Sequence, residues 1–191
     1  DTEDGIHLSG RIGNRNFDGE GRDLTLGIDG YVKSGDNILD AGHIQLTYRI
    51  PKAFYSDGDL YLEAFGQYSI ELIDQYDYNR TGVGTSYRMP LTERLSTTFG
   101  IREMIDNLYN VQPDVIIGDN DEGSTFYSIL HGSLDYEHRD DIYNPRQGYR
   151  SALQYSFASQ ALGSEADFVG ATWKNSYYIP VSSTLVWANS L

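Results

Sequence analysis

The sequence predicts an all-β fold, a transmembrane antiparallel up-and-down β-barrel of which about ten strands are present. Three observations predict it. Apolar and polar residues alternate with a period of two along nearly the whole chain, and no convincing helix-period segment occurs. The links between the alternating runs alternate as well, Pro- or Gly-marked turns with longer or more acidic loops. The composition sets 16 Tyr and 20 Gly beside five Pro and two Met, which suits pleated strands whose apolar residues lie on one face only.

Each run shows the pattern in turn. In "GIHLSGRIGN" Ile6, Leu8, Gly10 and Ile12 oppose His7, Ser9 and Arg11. "RDLTLGIDGYV" sets Leu24, Leu26 and Ile28 against Asp23, Thr25 and Asp29. "GHIQLTYRI" sets Ile44, Leu46, Tyr48 and Ile50 against His43, Gln45, Thr47 and Arg49. "DLYLEAFGQYSI" alternates Leu60, Leu62, Ala64, Tyr68 and Ile70 with Tyr61, Glu63, Phe65 and Gln67. In "RTGVGTSYRM" Val83, Tyr87 and Met89 face away from Arg80, Ser86 and Arg88, and in "RLSTTFGIRE" Leu95, Phe99 and Ile101 oppose Ser96, Thr98 and Arg102. "FYSILHGSLDYEH" opposes Phe126, Leu130, Leu134 and Tyr136 to Tyr127, His131, Asp135 and Glu137. "YRSALQYSF" opposes Tyr149, Leu153, Tyr155 and Phe157 to Arg150, Gln154 and Ser156; "DFVGATWKNSYYI" and "TLVWANSL" complete the series. Most runs approach the ~9–11 residues with which a tilted strand crosses a bilayer.

Turns fall at 14–21, 51–58, 90–93, 144–148 and 180–183, and the longer or more acidic links at 33–41, 71–79, 105–125 and 158–166. Turns on one rim and longer loops on the other are the pattern of outer-membrane barrels. A soluble β-sandwich alternates too, but its connections do not alternate so regularly. Tyr31, Tyr109, Tyr127, Tyr149, Tyr177 and Tyr178 near strand ends fit an interfacial aromatic girdle, although β-propensity alone accounts for part of the enrichment.

Composition narrows the function classes. There is no Cys, so disulfides and thiolate metal sites are excluded. With 14 basic and 28 acidic residues the formal charge is −14, which argues against nucleic acid as a partner and against a simple electrostatic dock on anionic lipid. No run approaches the ~20 apolar residues of a membrane-spanning helix. The membrane lipid that the alternation implies is met by strands.

Chemistry-bearing clusters are few. His138, Arg139, Asp140 and Asp141 hold groups for acid–base work, yet the Asp/Arg pairing suits a structural turn and no Ser or second His stands at a matching spacing. No catalytic residue is assigned, no enzyme activity is expected, and no cofactor is implied. His7, His43 and His131 fall on polar faces. "GDNDEG" offers Asp119, Asp121 and Glu122 as a weak candidate for a divalent cation, lacking the distal bidentate Glu of a calcium loop. Acidic loops more simply form a solvated rim; bridged by divalent ions, they also offer a contact for lipopolysaccharide phosphates. "TGVGTS" (81–86) precedes no helix and is no phosphate loop; its glycines read as points where the sheet bends.

Two segments carry a resemblance. "NRNFDGEGRDLTLGIDG", with Asn14 or Asn16, Phe17, Gly19 and Gly21, resembles the Asn-x-x-aromatic-x-Gly-x-Gly turn of the BamA/TamA outer-membrane assembly superfamily. "YEHRDDIYNPRQGYR" resembles that superfamily's Asp-x-Arg-Asp-x-x-x-x-Pro-x-x-Gly-aromatic turn through Arg139, Asp140, Pro145, Gly148, Tyr149 and Arg150, with Glu137 where the first Asp is common. "QYDYNRTGVGTSYRMPLTERLSTTFGI" is similar to the family's Tyr…Gly…Pro-Leu-x-x-x-Leu hairpin, and "FVGATWKNSYYIPVSSTLVWANSL" to the strand–turn–strand before its inward-folded loop.

The resemblance implies that residues 1–191 are part of a single transmembrane β-barrel domain in the bacterial outer membrane. It further implies that POTRA domains, the first strand and the C-terminal strands lie outside these residues, which would supply about ten of an expected sixteen or so strands. It implies an assembly factor that helps β-barrel proteins fold into the outer membrane without cofactor, with nascent barrels and assembly-complex subunits as partners. The alternative is a two-partner-secretion-type or porin-like transport barrel. An outer-membrane hydrolase would need a Ser or Asp–His pair on one rim that the sequence does not show.

Overall fold

The computed structural model describes residues 5–33, 40–70, 76–112, 123–182 and 184–190. Ten strands follow one another: β1 (Gly5–Asn14), β2 (Asp23–Lys33), β3 (Ala41–Ile50), β4 (Asp59–Ser69), β5 (Asp77–Pro90), β6 (Leu95–Tyr109), β7 (Gly123–Glu137), β8 (Gly148–Ala158), β9 (Phe168–Pro180) and β10 (Val186–Ser190). Each pairs antiparallel with its sequence neighbours in one sheet ordered β1 to β10. This is the predicted up-and-down arrangement. Among the described residues the outer edges of β1 and β10 pair with no further strand, so the sheet is open.

Register turns alternation into two chemically distinct faces. Ile12, Leu26, Leu46, Ala64 and Val83 are successive cross-strand partners on one face. Asp29, His43, Gln67, Arg80, Asp106 and Thr125 are successive partners on the other. The large apolar side chains in the middle of the apolar face are not buried: Leu62, Leu153 and Phe157 remain 42%, 40% and 41% exposed. Among the described residues the buried apolar ones are Ala53, Ile129, Ala152 and Ala158, while buried Ser69, Asp77, Asp106, Thr125 and Ser128 are polar. No second layer covers the apolar face among the described residues. Exposed apolar surface on this scale needs a non-aqueous neighbour.

Among the described strands two charged residues share the parity of the apolar face, Asp77 at the outer end of β5 opposite Tyr109 and Glu103 within β6. Glu103 lies opposite Val83 and Ser128, toward the far end of β6, which with β7 runs to 15 residues where β2, β4 and β8 have 11.

Three expectations are corrected. Residues 77–79, 105–109 and 123–125, expected in the longer or more acidic links, belong to β5, β6 and β7. Their polar groups are used across the strands: Asn107 Nδ2 donates to Asn79 Oδ1 at 2.7 Å, and Arg80 pairs with Asp106. The connections on the rim of the Pro- or Gly-marked turns, the first rim, are not uniformly the shorter, since 138–147 outruns 34–40 and 70–76. Finally, register puts Tyr31, Tyr127 and Tyr178 on the polar face, leaving Tyr109, Tyr149 and Tyr177 of the expected girdle on the apolar one.

Tyr48, Tyr87 and Tyr136 complete the apolar-face tyrosines near the first rim. Tyr149 stacks between Tyr136 and Tyr177, with ring centroids 5.6 and 6.0 Å away. A recurrent Tyr-x-Ile/Met-Pro carries three of these tyrosines, at Tyr48–Pro51, Tyr87–Pro90 and Tyr177–Pro180. Pro ends each strand because it has no N–H to give the ladder, and the Tyr three residues earlier points to the apolar side by parity.

Candidate functional site on the polar face and first rim

Side chains on the polar face join strands by charge. Arg49 on β3 reaches both neighbours, donating from Nη1 to Asp23 on β2 at 2.9 Å and from Nη2 to Asp59 on β4 at 2.8 Å. Gln45 donates to Glu63 Oε2 at 3.1 Å, and the other Glu63 oxygen accepts two hydrogen bonds from Arg102 on β6. The Arg102 guanidinium also lies over the Phe65 ring, 5.3 Å from its centroid. Further along, Arg150 meets Asp135 at 2.7 Å.

Glu63 and Arg102 belong to strands separated by β5, and glycine makes their contact possible. A Cβ on Gly84 would lie 2.6 Å from Glu63 Oε1, and one on Gly82 would lie 2.7 Å from the Phe65 ring. The glycines of "TGVGTS" thus open a channel across β5 for two side chains of β4. The arrangement is a cross-strand brace of charged and aromatic groups.

The connection 138–147 closes the polar face at the first rim. Arg139 forks onto Glu137, Nε to Oε1 at 2.7 Å and Nη2 to Oε2 at 2.6 Å. Those bonds raise its already high pKa further. The guanidinium also sits 6.0 Å from the Tyr178 ring centroid. The Asp140 carboxylate accepts from the Gln147 and Arg146 N–H groups at 3.1 and 2.9 Å, and Asp141 from Asn144 and Tyr143 at 3.0 and 2.7 Å. These bonds favour the ionised forms and hold both carboxyls below the usual range. Gly148 has φ +103°, with its Cβ position occupied by the His138 carbonyl oxygen. This connection is wider than the turn expected at 144–148, because Asp140 and Asp141 organise the chain well ahead of Pro145.

The connection 15–22 uses the same devices. Gly19 and Gly21 have φ +84° and +76°. Asn16 Oδ1 accepts from the Gly21 N–H at 2.7 Å, and Phe17 N donates to the Arg22 carbonyl at 3.0 Å. Tyr48 donates to Asp18, the chief cause of that carboxyl's lowered pKa. Two other first-rim turns are near copies. In 91–94 the Leu91 and Thr92 N–H groups donate to the Leu95 carbonyl, and Thr92 Oγ1 accepts from Leu95 N; in 181–185 Val181, Ser182 and Leu185 do the same. Pro-Leu/Val-Thr/Ser-x-x-Leu is the common text.

The structure brings the four groups considered for acid–base work into one turn but commits them there. Arg139 is on Glu137, both carboxylates cap backbone N–H groups, and the His138 ring lies 5.3 Å from that of Tyr149. Asp119, Asp121 and Glu122 lie outside the described residues; among the described residues no group of His, Cys, Asp and Glu has metal-binding geometry. The ion-pair brace was missed in the sequence. Its signal is that Glu63 and Arg102 sit on polar faces of neighbouring hairpins with paired glycines between them.

Residues 16–190 match the model of the Omp85 superfamily domain. Among solved structures, the chain is similar to BamA from Haemophilus ducreyi lacking POTRA domains 1-3, with a TM-score of 0.74 and 18% identity. That match covers 98% of this chain and 40% of the other. At that identity the likeness is one of fold, and it extends over the whole ten-stranded sheet.

Proposed function

The chain belongs to the Omp85 superfamily, and from that membership we propose that its ten strands are a contiguous part of one outer-membrane β-barrel domain that helps other β-barrel proteins fold into the membrane. The observation that carries the reading is the family match across residues 16–190. The two-faced sheet supports it: an apolar side suited to lipid tails and a braced polar side suited to an enclosed aqueous space. Lipid also explains why edges matter. An unpaired strand edge in hydrocarbon leaves N–H and C=O groups without partners, at several kcal/mol each. A barrel that exposes an edge therefore attracts a client strand.

On this reading the partners are membrane lipid, nascent outer-membrane barrel proteins and the subunits of an assembly complex. The charged brace makes this stretch a stiff wall, and the chemistry is strand pairing without a cofactor. The test uses the full-length protein in vesicles with an unfolded barrel client added from urea. Faster client insertion than in empty vesicles is expected. Solute flux through the vesicles with no gain in insertion would overturn the proposal in favour of a transport barrel.

A further inference from the structure

We infer that the β3–β4 turn, residues 51–58, is an interfacial anchor that seats Phe54 and Tyr55 in the headgroup layer of the membrane at the first rim. The inference rests on the barrel reading above and adds a lipid contact outside the strands.

Three independent features converge on this turn. It is fastened to the apolar side of the sheet. The Phe54 ring lies 5.7 Å from that of Tyr87, which lies 5.6 Å from that of Phe99. Tyr87 is on the apolar face by register, opposite Leu60 and Phe99. Its hydroxyl hydrogen-bonds Ser56 Oγ and sits where a side chain on Gly58 would be. The turn is therefore folded outward, in continuity with the surface that faces lipid.

The backbone keeps side chains where glycine would be easier. Lys52, Phe54 and Tyr55 have φ of 50°, 57° and 58°, in the left-handed region that bulky residues avoid. The Ala53 N–H to Gly58 O bond at 2.8 Å and the Lys52 N–H to Asp59 Oδ1 bond at 3.3 Å help hold this shape. At 19, 21, 148 and 163 the same chain uses Gly for positive φ. Strain kept at a bulky residue points to a use for its side chain.

Those side chains are presented rather than packed. Phe54 is 74% exposed and Tyr55 wholly so, with exposed Lys52 beside them. An aromatic body with a hydroxyl tip and a long stem with a charged head are suited to the boundary between acyl chains and headgroups. Asp57, on the same turn, instead lines a groove with Asp59 and Arg88 on the polar side. The turn thus has a lipid side and a water side.

The experiment places one nitroxide on the full-length protein in phosphatidylethanolamine–phosphatidylglycerol vesicles. This chain has no Cys, so Tyr55→Cys, Leu62→Cys and Asp57→Cys each label a single site in it. Power saturation then compares collisions with oxygen, which prefers lipid, and with a water-soluble nickel chelate. We expect the label at 55 to favour oxygen, between the lipid-facing reference at 62 and the aqueous reference at 57. A label at 55 that matches 57, or one shielded from both reagents as by a bound protein, overturns the anchor. If 62 is itself aqueous, the barrel reading fails and takes the anchor with it.

Discussion

Glu63 and Arg102 meet across a strand to which neither belongs: Glu63 Oε1 accepts from Arg102 Nε at 2.9 Å and Nη2 at 2.6 Å over the backbone of β5. Gly84 is the gap that lets them meet. The Arg102 side chain is 41% exposed, so the pair faces water and is worth about 0.2–1 kcal/mol. Gly→Ala in a strand normally stabilises by about 0.5–1 kcal/mol. Gly84→Ala is therefore predicted to be neutral or destabilising in the parent, where the new methyl displaces Glu63, and stabilising in a Glu63→Ala background. A double-mutant cycle from urea unfolding reads this change of sign.

Gly148 and Gly10 test backbone against space. At Gly148 both objections hold, φ +103° and the His138 carbonyl in the way, whereas a Cβ on Gly10 meets nothing within 4 Å. Gly148→Ala should cost about 2 kcal/mol or more, whereas Gly10→Ala, in an unobstructed strand position, should stabilise by about 0.5–1 kcal/mol. Equal costs at the two sites, measured by denaturant midpoints at constant slope, would contradict the assigned turn geometry.

How far the sequence foretold this depends on what each residue's partner is. Period-two alternation placed β1 at both ends, since Ile6, Leu8 and Ile12 announce their own face. It failed at 105–109, because Asp106 and Asn107 look like loop residues until Arg80 and Asn79 are seen opposite them. The girdle was half misread for a related reason: Tyr31 and Tyr178 have strand propensity on either face, and only register tells which. The ion-pair brace was out of reach, its members lying 39 residues apart at Glu63 and Arg102. The glycines between them, Gly82 and Gly84, read in the sequence only as points where the sheet bends.

Asp140 supplies a pH prediction. Its carboxylate accepts the Gln147 and Arg146 N–H groups, so its folded pKa lies below that of an unstructured Asp, about 3.9. A depressed folded pKa means that the contribution to stability is complete above the unfolded value. It is lost as pH falls through the folded one. Amide exchange at Arg146 and Gln147 should therefore be protected and level above about pH 4 and lose protection below it. In Asp140→Asn, which cannot titrate, the acid limb should vanish. An unchanged limb would assign the titration to another group.

The two faces themselves give the last prediction. Leu153 pairs with Leu134 and Trp173 in the middle of the apolar surface, and Gln154 points the other way beside Thr98 and Thr172. Arg on the lipid side near the bilayer centre costs about 2–4 kcal/mol, falling to about 0–1 at the interface. Leu153→Arg should therefore lower the stability of the full-length protein in vesicles by about 2–4 kcal/mol, and Gln154→Arg by less than about 0.5. Glu103 locates the edge of the band. Eight residues beyond Leu95 at ~3.3 Å each, tilted by about 40°, it stands roughly 20 Å across a band about 25 Å tall. Its carboxylate then lies within a side chain's reach of the interface on the rim opposite the first, where its charge is tolerable, and β6 and β7 continue past that edge. Glu103→Arg should accordingly cost no more than about 1 kcal/mol in urea-driven folding into vesicles. A cost there equal to that of Leu153→Arg would put Glu103 at mid-membrane and overturn this placement of the band.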